Sequence, residues 1–150
     1  MGNKVCAFTG HRNVTDPLIG ERLERVIREL YKEGTEVFIC GGAVGFDTAA
    51  GEAVIRLKSE LPIKLIVAVP FPGQDETFTD EEKERYRRLI AEADGVKTIS
   101  PRRTRSAYLR RNRFMIDKSD VCVAYLKREN TGTAYTVRYA RSKGKDVIMI

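Results

Sequence analysis

The amino-acid sequence predicts an α/β fold, a single Rossmann-like three-layer domain with a mainly parallel sheet that takes in residues 1–150. Three observations carry that expectation. Six apolar runs of four to six residues alternate with segments of helical pattern, and the short links between them favour right-handed crossovers and parallel pairing. One run, Lys64-Leu-Ile-Val-Ala-Val69, lacks polar alternation, as a strand buried on both faces does. Another, Val37-Phe-Ile-Cys40, breaks on Gly41 and Gly42 and restarts as a helix, the strand-turn-helix order of this fold class.

Each element follows from its residues. Lys4-Val-Cys-Ala-Phe-Thr9 reads as a first strand ended by Gly10-His11-Arg12. Ile19, Leu23, Val26, Ile27 and Leu30 share one face of a helix, with Asp16 as its expected N-cap, Pro17 at the first position and Gly34 closing the end. Val37 to Cys40 is the second strand. The helix after the glycines is expected to run to about Glu60, where Pro62 separates it from the third strand. Pro70 to Phe78 reads as a long loop, and Thr79 with Glu82 makes a capping-box pattern that opens a helix carrying Tyr86, Leu89 and Ile90. Then come a strand at Val96–Ile99, a helix from Ala107 to Lys118, a strand at Val121–Tyr125, a helix from Thr133 to Ser142 and a strand at Asp146–Met149.

Composition narrows the class. With 42% hydrophobic residues the 150-residue chain can bury one continuous core. No apolar run approaches the ~20 residues of a membrane span. Met1-Gly-Asn-Lys4 leads into a strand rather than a signal peptide, so a cytoplasmic location and no membrane partner are expected. Cys6, Cys40 and Cys122 are far apart in apolar runs, which points to buried thiols rather than disulfides or a metal site. The net charge of +6 is local: Arg102, Arg103, Arg105, Arg110, Arg111 and Arg113 lie in a segment without acidic residues, and the remaining 21 basic residues balance 21 acidic ones.

In such sheets ligands bind beyond the carboxyl ends of the strands, where the strand order reverses. The loops expected there are 9–12, 41–47, 70–76, 100–106 and 125–133. Gly41, Gly42 and Gly45 allow backbone N–H groups to face a phosphate at a helix start, and Thr131-Gly132-Thr133 repeats the device before the last helix. Arg12 offers a guanidinium to hold phosphate bidentately. Thr9, Gly10 and His11 complete that loop, and His11, the only histidine, could bond a ligand or act as acid or base. Asp47 either caps its helix or binds a hydroxyl.

Thr9-Gly-His-Arg12, Gly41-Gly-Ala-Val-Gly-Phe-Asp47 and Arg111-Asn-Arg-Phe-Met-Ile-Asp117, followed by Ser119-Asp120 and Gly132-Thr-Ala-Tyr-Thr136, together resemble the SLOG superfamily, in its YpsA-like bacterial branch. The resemblance spans nearly the whole chain. It implies a Rossmann-like fold and a nucleotide or nucleotide-derived ligand; known members include cytokinin-activating phosphoribohydrolases, sensor modules linked to prokaryotic defence and the DNA-processing protein DprA. The phosphoribohydrolases carry Pro-Gly-Gly-x-Gly-Thr-x-x-Glu, whereas here Thr136 stands where the catalytic glutamate would be. A hydroxyl cannot serve as that base or stabilise an oxocarbenium ion by charge.

The expected partner is therefore a nucleotide-derived small molecule bound by a sensor or processing domain, with a homodimer possible and no cofactor or metal. Two alternatives remain. A hydrolase of N-glycosidic or phosphate-ester bonds would draw on Asp47, Asp120 or His11 as catalytic groups. A single-stranded DNA-binding protein of DprA type would use the arginine segment, although Tyr108 and Phe114 are the only aromatics interleaved with it. Arg102, Arg103 and Arg105 are expected on a solvated rim, with Arg111 or Arg113 reaching a ligand phosphate.

Overall fold

The computed structural model describes residues 4–150. Six strands, β1 (Lys4–Gly10), β2 (Thr35–Cys40), β3 (Lys64–Val69), β4 (Gly95–Thr98), β5 (Val121–Tyr125) and β6 (Asp146–Met149), form one sheet in the order β4-β3-β2-β1-β5-β6. Every neighbouring pair is parallel. Five helices make the crossovers: α1 (Ile19–Lys32), α2 (Phe46–Leu57), α3 (Asp80–Glu92), α4 (Ala107–Asp117) and α5 (Gly132–Ser142). The chain builds outward from β1 to β4, then returns to lay β5 on the other side of β1. Strand order therefore reverses between β1 and β5, and a crevice opens beyond their carboxyl ends.

Side-chain alternation along the strands divides the core between two faces. Cys6 and Phe8 of β1 pack with Leu23, Ile27, Phe46, Val54 and Leu89 from α1, α2 and α3. Ala7, between them, packs on the other face with Met115 and Ile116 of α4 and Ala140 of α5. The sheet is thus the middle of three layers. β5 is buried at all five residues, which explains its unbroken apolar run. Cys6, Cys40 and Cys122 are free and buried, and burial pushes all three thiols up, Cys122 to about 12.

Three local expectations need correction. The N-cap of α1 is Leu18, not Asp16; Asp16 instead accepts the Leu18 N–H through Oδ1 at 2.9 Å and pairs with Arg22 at 2.6 Å, a side-chain turn just ahead of the helix. α2 stops at Leu57, before Glu60, and the chain beyond it continues as turns in which the Glu60 and Leu61 N–H groups both bond the Leu57 carbonyl. The 70–78 loop contains a 3₁₀ turn, Gln74–Thr77, entered through Gly73 at φ 82°. The capping box of α3 forms as expected: Thr79 Oγ1 accepts the Glu82 N–H at 3.2 Å, and Glu82 Oε1 accepts the Thr79 N–H at 2.9 Å. Replacing Thr79 by Ala should lower stability by about 1 kcal/mol in urea unfolding. Arg87→Ala, which removes only an exposed 3.5 Å pair with Glu84, should change it by less than about 0.5 kcal/mol.

Candidate phosphate-binding cleft

A cleft of about 360 Å³ lies where β1 and β5 diverge. Thr9, Gly10, His11 and Arg12 line it from the end of β1, Ala43 and Asp47 from the start of α2, and Arg128, Thr131, Gly132 and Thr133 from the turn into α5. Tyr108, Arg111 and Asn112 of α4 close it. Thr131 caps α5, its Oγ1 accepting the Ala134 N–H at 3.1 Å. The N–H groups of Gly132 and Thr133 belong to the first turn, which has no intrahelical acceptor to offer them.

Arg111 is the buried cation of the site. Only 4% of it is exposed, yet its Nη1 donates to the carbonyls of Gly41 at 2.5 Å and Ala68 at 3.2 Å, and its Nε to Asn112 Oδ1 at 2.9 Å. Nη2 makes no hydrogen bond among the described residues, and Arg111 is one of the residues that line the cleft. Asp47, also buried, accepts the Gly41 N–H at 3.0 Å. Burial raises the Asp47 carboxyl and lowers the Arg111 guanidinium, while each favours the charged form of the other. Arg12 and Arg128 bring two further cations to the rim, and Arg12 forms no ion pair among the described residues. Positive charge prevails in the cleft.

A family model described as the YspA SLOG family matches residues 5–147. The chain belongs to that family. Among its relatives is a UPF0398 protein of Bacillus cereus (strain G9842), 32% identical over 156 residues that cover 95% of this chain and 85% of the relative. A UPF0398 protein of Oceanobacillus iheyensis is 35% identical over 127 residues, 83% of this chain and 69% of the relative. Among solved structures, this SLOG-family fold is similar to DNA processing protein A from Helicobacter pylori, described for its single-stranded DNA binding mode. The TM-score is 0.72 at 24% identity, over 99% of this chain and 65% of that one. DNA processing protein A from Streptococcus pneumoniae also gives 0.72, at 20% identity, over 97% of this chain and 50% of that one. At those identities the likeness is one of fold.

The SLOG-family cleft gathers many of the sequence candidates and leaves others elsewhere. Gly41, Gly42 and Gly45 are not among the residues that line it, and Gly45 lines a neighbouring pocket with Arg12. A Cβ on Gly41 would meet Arg111 Nη1 and Asp47 Oδ2, each at 2.6 Å, and one on Gly45 would come within 2.1 Å of the Arg12 carbonyl oxygen. These glycines admit neighbouring protein groups. Asp120 sits at the opposite end of the sheet, where its Oδ2 accepts the Val5 N–H at 2.9 Å. Arg113 points away from the cleft toward Tyr135, its Nε donating to the hydroxyl at 3.0 Å, and it lies over the rings of Tyr135 and Tyr139. Arg102, Arg103 and Arg105 are exposed, and Arg103 also stacks on Phe71 at 4.6 Å. Thr136 is buried, and its hydroxyl bonds back to the Gly132 carbonyl at 2.9 Å. The sequence did not point to Asn112 and Arg128, although Asn112 falls inside a quoted motif and Arg128 inside a flagged loop, and it offered Tyr108 only as an aromatic interleaved with the arginines. Among the described residues no group of three or more His, Cys, Asp or Glu is placed to hold a metal ion, and no helix is long and apolar enough to cross a membrane.

Proposed function

We propose that this SLOG-family chain binds a small phosphate-bearing, nucleotide-derived molecule in the β1/β5 cleft. The observation that carries the reading is the buried Arg111, a guanidinium held by two carbonyls in the lining of the cleft, with Arg12 and Arg128 beside it. Keeping such a charge out of water is costly; Asp47 offsets part of that cost, and an anion bound in the cleft would offset more. The phosphate would lie between Arg111, Arg12 and Arg128 on the first turn of α5, with Tyr108 and Asn112 of α4 lining the space left for the rest of the ligand. A cavity of about 360 Å³ suits a ligand of mononucleotide size, within the range of small-molecule sites.

A thermal-shift screen of nucleoside mono- and diphosphates and cyclic nucleotides tests the reading. A ligand at roughly a hundred times its Kd adds about 2.7 kcal/mol, a Tm rise on the order of 5–10 °C for a domain of this size. No shift from any nucleotide would contradict it. With the Thr136 hydroxyl tied to Gly132 and no carboxylate at that position, the protein should release no free base from a nucleoside monophosphate. Chromatographic detection of base, lost in Asp47→Asn, would show that another carboxylate supplies the chemistry.

A second reading is favoured by the fold likeness to the Helicobacter pylori protein and by the exposed Arg102, Arg103, Arg105 and Arg110. Here the arginine loop would follow the phosphates of single-stranded DNA. Such binding is expected to weaken steeply between about 50 and 200 mM salt, and DNA affinity that survives the higher salt without any nucleotide hit would favour this reading over the first.

A further inference from the structure

The turn that delivers Arg128 and Thr131 to the cleft hangs on one imidazole. His11 is 6% exposed, and its Nε2 accepts the backbone N–H of Lys127 at 2.8 Å and that of Arg128 at 3.3 Å. A ring nitrogen that accepts carries no proton, so His11 is neutral with its hydrogen on Nδ1. Its carbonyl accepts the Phe46 N–H at 3.1 Å, tying it to the start of α2, and the Tyr125 ring of β5 meets it edge-on at 6.1 Å. One residue thereby joins the end of β1, the start of α2 and the turn after β5.

We propose that His11 is a positioning residue, a neutral clamp that holds the Lys127–Thr131 turn in place over the cleft and makes anion binding there weaken as the pH falls. The ligand in this statement rests on the binding reading above; the clamp does not. The charges facing the ring oppose its protonation. Lys127 and Arg128 come from the turn itself, Arg12 follows on its own loop, Arg111 of α4 lines the same cleft, and Asp47 of α2 is the one carboxylate in that lining. Behind Tyr125, whose hydroxyl is bonded to Thr15, stands the Asp16–Arg22 pair.

Burial first, then Arg128 and Lys127, hold His11 below its ordinary value of 6.5. The folded state thus favours the neutral ring. The clamp's contribution is fully present above the unfolded value and is lost as pH falls through the lower folded one. An imidazolium presents N–H to N–H at Lys127 and Arg128, so the turn must detach. This sign separates two roles. A histidine that touched the anion directly would strengthen binding on acidification, because protonation adds positive charge.

The test uses the intact protein and sulfate, which remains a dianion across the titration. Backbone and imidazole NMR signals are followed from about pH 8 to about pH 5. The Lys127 and Arg128 amides should shift together with the His11 ring titration, and sulfate affinity should fall roughly tenfold, as loss of two modest hydrogen bonds allows. His11→Gln, whose Oε1 accepts without titrating, should abolish the pH dependence of those amides and keep more affinity than His11→Ala. Sulfate binding that strengthens on acidification, or amides indifferent to the His11 titration, would overturn the clamp. If the amides follow His11 but neither sulfate nor any nucleotide binds at about pH 8, the clamp stands and the binding reading of the cleft fails.

Discussion

Gly45→Val is expected to destabilise the fold by about 3 kcal/mol or more and to lower Tm by about 6 °C or more. Gly45 precedes α2 at φ 91° and ψ −122°, a conformation that costs an L-residue heavily and a β-branched one most. Backbone strain is half of the effect. The other half is space, since a Cβ there would lie 2.1 Å from the Arg12 carbonyl oxygen and 2.5 Å from its carbonyl carbon, atoms of the main chain that no rotamer change can move. The crossing of 12 over 45 also brings the Phe46 N–H to the His11 carbonyl, so the substitution pushes the β1 loop off α2. Gly132→Ala is the matched control. Outside its chain neighbours and the backbone of its own helix, nothing comes within 4 Å of where a Cβ would sit, and its stability should stay within about 0.5 kcal/mol of the parent. Equal unfolding midpoints for Gly45→Val and Gly132→Ala would show that the crossing is not as tight as described.

Arg111→Met should cost about 3–5 kcal/mol, the penalty of breaking a buried charged network from one side. The Gly41 and Ala68 carbonyls lose the Nη1 donor, leaving Gly41 only Gln74 Nε2 at 3.1 Å, and Asp47 loses the cation that favours its ionised form. Burial already raises the Asp47 carboxyl, and without Arg111 it rises further. For a carboxyl raised on folding, stability is greatest below its unfolded value and falls as pH rises through the folded one. The loss in Arg111→Met should therefore be largest near neutral pH. Asp47→Asn in the same chain should recover part of it, because the amide oxygen can still accept the Gly41 N–H without a charge to bury. Additive losses in that double-mutant cycle would mean the two side chains do not act as a unit. Arg113→Ala, at an exposed pair with Tyr135, should by contrast change stability by less than about 1 kcal/mol.

The same contrast explains which parts of the molecule were legible in the sequence. β3 and β5 were readable to the residue, because their apolar runs are continuous; β5 is buried throughout, and β3 is buried except at its exposed Lys64 and half-buried Ile66. α1 began two residues after the expected position, because Asp16 and Pro17 signal a helix start but build a separate side-chain turn. The fold class followed from the alternation of strands and helices, the apolar run of β3 and the glycine break after β2, and with it the crevice at the end of β1. Within the crevice, Thr9 to Arg12 and Thr131 to Thr133 are found together because loops at one end of a parallel sheet must share a rim. What the glycines face could not be read from their spacing. Gly41 and Gly45 make room for Arg111 and for the Arg12 backbone, contacts between residues up to 70 positions apart. Nor does local sequence distinguish Arg111 from Arg113, which differ only in the face of α4 they occupy: one is buried against the sheet, the other turned to Tyr135.

Backbone NMR during titration with a mononucleotide identified by the thermal screen tests the central claim most directly. The amides of Gly10, Arg12, Gly132 and Thr133 and the side-chain N–H signals of Arg111 should shift in a saturable way, while those of Arg102, Arg105 and Asp120 stay still. Arg12→Ala should weaken that titration by roughly tenfold or more, the value of a charge-assisted phosphate contact. Shifts confined to Arg102–Arg110, produced by an oligonucleotide and by no mononucleotide, would contradict the account and move the binding surface from the cleft to the arginine loop.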